Sequence, residues 1–182
     1  DEEAIAFTGA MDYWPNIDAV CWFARDMFPQ IAARRPRARF YVIGMHPSSD
    51  VQALAQDPRV VVTGRVPDVR PYLQHARVVV APMRVARGIQ NKVLEAMAMR
   101  RPVVVSAAAA GALSGVATVD FEVADDAPDF VQKALPLMDP HRGEEVGIAA
   151  RARVVADYDW ARNLAPFDVF LQEPALARAE AG

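Results

Sequence analysis

Five short runs in this chain are almost wholly apolar at successive positions, at residues 5–8, 40–43, 60–63, 78–81 and 103–106. Side chains alternate between the two faces of a strand. A run such as VVVA is therefore suited only to a sheet covered on both sides. The segments between the runs carry helical signals. Ile17, Val20, Cys21, Ala24, Met27, Phe28 and Ile31 fall on one helical stripe, with Asn16 placed to cap it and Pro36 beyond its end. Ser48 or Ser49 can cap a short helix to about Gln56, Asp68 can cap one over 69–76 with Pro71 in its first turn, and a further helix is expected over 89–99. Doubly apolar strands alternating with helices predict an α/β fold, a Rossmann-like parallel sheet flanked by helices on both faces. A short sixth strand is expected near residues 117–123.

The C-terminal part changes character. Residues 128–137, 144–158 and 160–171 read as helices, with Pro166 breaking or kinking the last and Trp160 and Phe167 docking it on the sheet. Residues 1–172 are expected to form one domain, and the Ala-rich stretch 173–182 to fray. A hydrophobic fraction of 53% with a net charge of only −3 argues against disorder and against a nucleic-acid partner. No apolar run approaches the length of a bilayer span, so no transmembrane segment is expected. The single cysteine, Cys21, excludes an internal disulfide and lies on the apolar helical stripe as an inert core thiol. A cytoplasmic location fits. Because the chain opens on Asp1, a preceding segment is expected. Arg34, Arg35, Arg37 and Arg39 cluster at a helix end, where dipole compensation and solvation account for them. The histidines and the cysteine lack metal-binding spacing, and no metal site is expected.

In a parallel sheet, ligands bind beyond the carboxyl ends of the strands. Here those ends carry Gly9, Gly44, Gly64, Arg65, Gly88 and Ser106. His46, Tyr13 and Trp14 also belong to these loops, whereas Ser106 lacks the surroundings of a hydrolase nucleophile. The stretch RVARGIQNKVLEAMAMRRPVVVS, residues 84–106, is the richest of them. Gly88 lets an anion approach the backbone, and the helix start that follows offers unpaired N–H groups. Lys92 near that positive helix end is poor electrostatics unless an anion sits there. Arg84 can reach the same anion, and Glu95 can accept hydrogen bonds from sugar hydroxyls. Taken alone, Lys92 and Glu95 also make an ordinary solvated helix pair.

The blocks FTGAMDYWPNIDAV, FYVIG, VVVTGRVPDVRPYL with VVVAPMRVARG, and NKVLEAMAMRRPVVVS together resemble the C-terminal, donor-binding half of retaining glycosyltransferases of family 4, which have the GT-B fold. The resemblance runs from about Phe7 to about Trp160, and GAMDYWPNIDAV with RVPDVRPYL is most similar to the branch associated with bacterial exopolysaccharide sugar transferases. It implies a nucleoside-diphosphate sugar donor, a UDP- or GDP-sugar, lying across the strand ends, with no cofactor and no bound metal. Glu95 matches the glutamate that holds ribose hydroxyls. Gly64, Arg65 and Val66 match the loop that reads the base. Gly9, Gly88, Ile89, Gln90 and Asn91 complete the expected donor contacts. Arg84 and Lys92 are expected to act in catalysis, stabilising charge on the departing diphosphate.

The sequence departs from the family pattern in three places. Arg87 stands where the family has its first glutamate, and Gln90 where it has a glycine; Met11–Asn16 replaces the usual basic pair after the first strand. By its charge, Arg87 favours an acidic sugar. The acceptor, a sugar or a lipid-linked glycan, is expected on an N-terminal domain absent from this chain, so that the fragment binds donor without transferring sugar alone. Lipid-linked acceptors would bring such a protein to the inner face of the membrane. Two other functions stay open: a sugar-nucleotide epimerase of the same fold, and a non-catalytic nucleotide-binding or scaffold module.

Overall fold

In the computed structural model, which describes residues 2–172, the apolar runs form β1 (Glu3–Thr8), β2 (Ala38–Ile43), β3 (Val60–Gly64), β4 (Val78–Ala81) and β5 (Val103–Ser106). A sixth strand, β6 (Glu122–Ala124), begins later than residues 117–123 suggested. The reason is local. Thr118 turns the chain at φ 68°, and Asp120, buried against the Arg153 guanidinium at 3.0 Å, accepts the Val116 N–H, so this stretch is a turn. The strands lie in the order β3-β2-β1-β4-β5-β6, and every neighbouring pair is parallel. β1, β4 and β5 are buried along their whole lengths, as doubly covered strands must be.

Helices cross over between the strands. After β1 come α1 (Trp14–Trp22), a π-type turn (Phe23–Met27) and α2 (Phe28–Arg34), and after β2 comes α3 (Ser49–Ala53). Then follow α4 (Arg70–His75), α5 (Asn91–Ala98), α6 (Ala107–Ala110), α7 (Ala127–Leu137), α8 (Pro140–Asp157) and α9 (Trp160–Gln172). The expected apolar stripe is the buried face of α1 and α2, where Phe23 packs on Phe40 with ring centroids 4.7 Å apart. Cys21 is buried on it, and burial pushes its thiol up. Ser48 caps α3 as anticipated, its Oγ accepting from Val51 N. Asp68 does not cap α4: Val69 holds that position without a side-chain bond, and Asp68 Oδ1 accepts the Arg70 N–H from one residue further out. Asp126 caps α7, its Oδ1 accepting from Asp129 N.

Other expectations are corrected. Asn16 does not cap the first helix; Tyr13 occupies that position and Pro15 sits in the first turn, while the buried Asn16 side chain turns inward. The helix expected over 89–99 starts only at Asn91, because Gly88 turns the chain at φ 64° and Gln90 is extended. α9 runs through Pro166 unbroken, and Trp160 and Phe167 do not dock it: they are 78% and 58% exposed. The arginine cluster keeps Arg34 exposed in the last turn of α2, as expected, while its other members also meet carboxylates. Arg35 and Arg37 reach Glu3, and Arg39 reaches Glu2. Residues 173–182, expected to fray, lie outside the described residues.

Candidate functional site

The strand order reverses between β1 and β4, and at that point two crossovers leave the sheet on opposite sides. A cleft of about 400 Å³ opens there. Its floor is the end of β1 and the following bend (Thr8, Gly9, Ala10) with the end of β2 (Ile43, Gly44, Met45). Arg65, Val66 and Val69 wall one side, and Asn91, Lys92 and Glu95 of α5 wall the other. The two floor bends touch. An added Cβ at Gly44 would stand 1.6 Å from the Gly9 carbonyl oxygen, so glycine is what lets them meet.

Lys92 dominates the electrostatics. Its stem crosses the edge of the core, its Nζ stands 4.6 Å from the Phe7 ring centroid and 3.8 Å from Met83 Sδ, and it donates to Asn16 Oδ1. Burial holds the ammonium down at about 8, against an opposing pull from Glu95. Among the described residues, no carboxylate lies within ion-pair distance of Lys92 or of Arg65. A cation partly withdrawn from water with no carboxylate beside it is costly in isolation. Glu95, exposed on the same wall, has no ion-pair partner among the described residues either. The start of α5 is not capped by a side chain; Gln90 instead donates to the Arg87 and Gly88 carbonyls, closing its own loop. Thr8 adds a further signal: its buried Oγ1 has no hydrogen-bond partner among the described residues.

Of the residues singled out in the sequence, Gly9, Arg65, Val66, Asn91, Lys92 and Glu95 line this cleft. Gly64 precedes Arg65 and turns the backbone into the wall at φ 66°. Arg87, Gly88 and Ile89 are exposed on the loop before α5 and, with Gln90, lie outside the lining. Arg84 is also placed elsewhere. Its Nε donates to Asp18 Oδ2 at 2.8 Å, its second nitrogen to Asp18 Oδ1, and its guanidinium lies 5.3 Å from the Trp22 ring centroid. A bidentate carboxylate and an aromatic face satisfy it on α1, away from the cleft. His46 faces Asp12 at 3.2 Å on the exposed loop after β2. Tyr13 and Trp14 are each 60% exposed and lie outside the cleft lining. Asn16, Thr8 and Asp18 were not visible as site residues in the sequence. Asn16 looked like a cap, and its contact to Lys92 spans 76 positions.

A parallel α/β domain with an electropositive cleft at its switch point is built to receive an anion and the group attached to it. The chain belongs to a family of this kind, the glycosyl transferases group 1, which matches residues 2–139. No curated protein is similar enough in sequence to count as a relative. Among solved structures, a mutant of S. aureus TarM in complex with fondaparinux, alpha-GlcNAc-glycerol and UDP superposes with a TM-score of 0.77 at 17% identity, over 94% of this chain and 36% of that one. Anabaena HepE in complex with UDP-glucose gives 0.73 at 13% identity, over 94% and 49%. The C-terminal domain of the Francisella tularensis group 1 glycosyl transferase LpcC gives 0.73 at 16% identity, over 87% of both chains. The fold is thus that of the C-terminal half of a GT-B glycosyltransferase. The chain spans between about a third and a half of the length of TarM and HepE. Among the described residues, no helix is long and apolar enough to cross a membrane.

Proposed function

We propose that this domain binds the nucleoside-diphosphate sugar donor of a retaining family 4 glycosyltransferase acting in exopolysaccharide or cell-surface glycan synthesis. The observation that carries the reading is Lys92: a partly buried ammonium, lacking a carboxylate partner among the described residues, at the carboxyl edge of a parallel sheet. A diphosphate supplies the missing counter-charge. The uncapped start of α5, with Asn91 and Lys92 in its first turn, offers N–H groups to the same phosphates. In this reading Arg65 and Val66, which line the far wall, contact the base, and Glu95, which lines the near one, accepts from ribose hydroxyls. The LpcC, TarM and HepE folds support the donor half; the UDP of the TarM complex and the UDP-glucose of the HepE complex make a uridine nucleotide the first ligand to try.

In this reading, transfer breaks the bond between the anomeric carbon and the diphosphate, and Lys92 stabilises the charge that develops on the leaving oxygen. A fixed cation acting on that charge contributes about 1.5–3 kcal/mol. Arg84, held by Asp18, is not assigned this role. The acceptor, a sugar or a lipid-linked glycan, binds on a second domain, and this chain alone holds donor without transferring it. Calorimetric titration with UDP, GDP, ADP and CMP at low salt tests the proposal. Saturable binding of one nucleotide, lost in Lys92→Ala, is expected; binding of none of them overturns it.

A further inference from the structure

We propose that Asn16 is the positioning residue of this donor site: its neutral carboxamide fixes the Lys92 ammonium at the cleft without cancelling its charge. The inference rests on the donor reading above and adds a residue that touches no substrate. Asn16 is 5% exposed, in the first turn of α1, and both ends of its amide are engaged. Nδ2 donates to the Ala10 carbonyl at 2.9 Å, and Oδ1 accepts from Lys92 Nζ. The orientation is determined by chemistry, since a carbonyl only accepts and an ammonium only donates. The amide is also wedged against the cleft floor: a Cβ on Gly9 would lie 2.7 Å from Asn16 Nδ2. Asn16 therefore ties the bend after β1 to the start of α5, the two segments that face each other across the site.

The residue type matters as much as the place. An aspartate at position 16 would form a contact ion pair with Lys92 and saturate the cation inside the protein. An alanine would leave the ammonium unanchored and the Ala10 carbonyl unpaired. The amide alone anchors the cation while its charge stays free for an incoming anion. The same loop region shows the contrast, because Arg84 faces a true carboxylate, Asp18, and is held there in a bidentate pair. The chain contains only two lysines, Lys92 and Lys133, among 20 basic residues, and Lys133 is paired with Asp129 at 2.8 Å.

That scarcity makes the test direct. Protein labelled with 13C at the lysine ε carbons gives two titrating signals, assigned by Lys133→Arg. Wild type, Asn16→Asp and Asn16→Ala are titrated without ligand, and each is then assayed for UDP and GDP binding, with melting curves to establish folding. In Asn16→Asp, Lys92 is expected to titrate at least about one pH unit higher than in wild type. Its nucleotide affinity is expected to fall about tenfold or more, and that of Asn16→Ala about threefold to tenfold. An unchanged Lys92 titration in Asn16→Asp overturns the proposal, even if nucleotide still binds. If Lys92 follows Asn16 while wild type binds no nucleotide, the donor reading fails and the positioning role falls with it. If neither variant folds, 15N relaxation of Lys92 Nζ in wild type decides. A restricted ammonium supports the anchor, and one as free as an exposed lysine overturns it.

Discussion

Lys92, in the first turn of α5, donates a hydrogen bond to Asn16, in the first turn of α1, across 76 positions of chain. The contact joins the crossovers that leave β1 and β4, the neighbouring strands at which the sheet order reverses. It turns a lysine on an otherwise ordinary amphipathic helix into a fixed charge in a cleft.

The two cations expected to act on the diphosphate separate on this basis. Lys92→Ala is expected to weaken nucleotide binding by at least about tenfold, equivalent to about 1.4 kcal/mol. Arg84→Ala is expected to leave it within about threefold, because Arg84 is held by Asp18 outside the cleft lining. Calorimetry on both variants checks the order. A larger loss in Arg84→Ala would mean that the ion pair opens for the ligand.

Nucleotide affinity is expected to decline as pH rises through about 8, the value to which burial lowers Lys92. The anion binds the protonated form, so binding near that pH takes up a proton. Calorimetry in buffers of different ionisation enthalpy measures the uptake, and a pH-independent affinity between 7 and 9 would exclude Lys92 as the phosphate contact (roughly a unit either side of its midpoint).

Folding stability without ligand should change with pH in the opposite sense. Lys92 falls from 10.5 to about 8 in the folded chain, so between those values the unfolded chain binds more protons and stability increases with pH. Below about 8 both states are protonated and the full cost of the buried charge, about 3 kcal/mol as an upper figure, is present. Lys92→Met should remove this component. Denaturant melts of both proteins at pH 7 and pH 10 measure it as the difference of differences (pH values roughly bracketing the window).

Thr8→Val is expected to raise stability by about 1 kcal/mol, because the substitution keeps the shape and removes a buried hydroxyl with no partner among the described residues. A fall in Tm by several degrees would show that the hydroxyl is satisfied in solution.

Gly44→Ala tests the contact between the two floor bends. Its Cβ would fall 1.6 Å from the Gly9 carbonyl oxygen, and that atom is backbone. The variant is expected to lose more than about 3 kcal/mol or fail to fold, against about 1 kcal/mol for Gly88→Ala, where only the left-handed φ of 64° is strained in open space.

The local code was readable where burial on both faces or a cap imposed it. β4 and β5 begin and end at the residues where their apolar runs do, and Ser48 caps α3 where a short polar side chain precedes the helix. Errors arose where a tertiary partner outweighed a local preference. Asn16 has the residue type of a cap, but Lys92 and the Ala10 carbonyl both engage its amide. Trp160 and Phe167 are a different case: they have the composition of a docking face, yet α9 leaves them exposed.

The sequence by itself determined the α/β class, the parallel strands, and the strand-end segments around Gly9 and Lys92 that line the cleft. These follow from periodicity and from turn and helix-start chemistry, which act over a few residues. Only the tertiary structure decided which cations face the cleft: Asp18 draws Arg84 away while Asn16 holds Lys92 in it. The physical reason is range. A side chain's charge state and orientation depend on the groups within a few ångströms, and here those groups come from α1, more than sixty positions away along the chain.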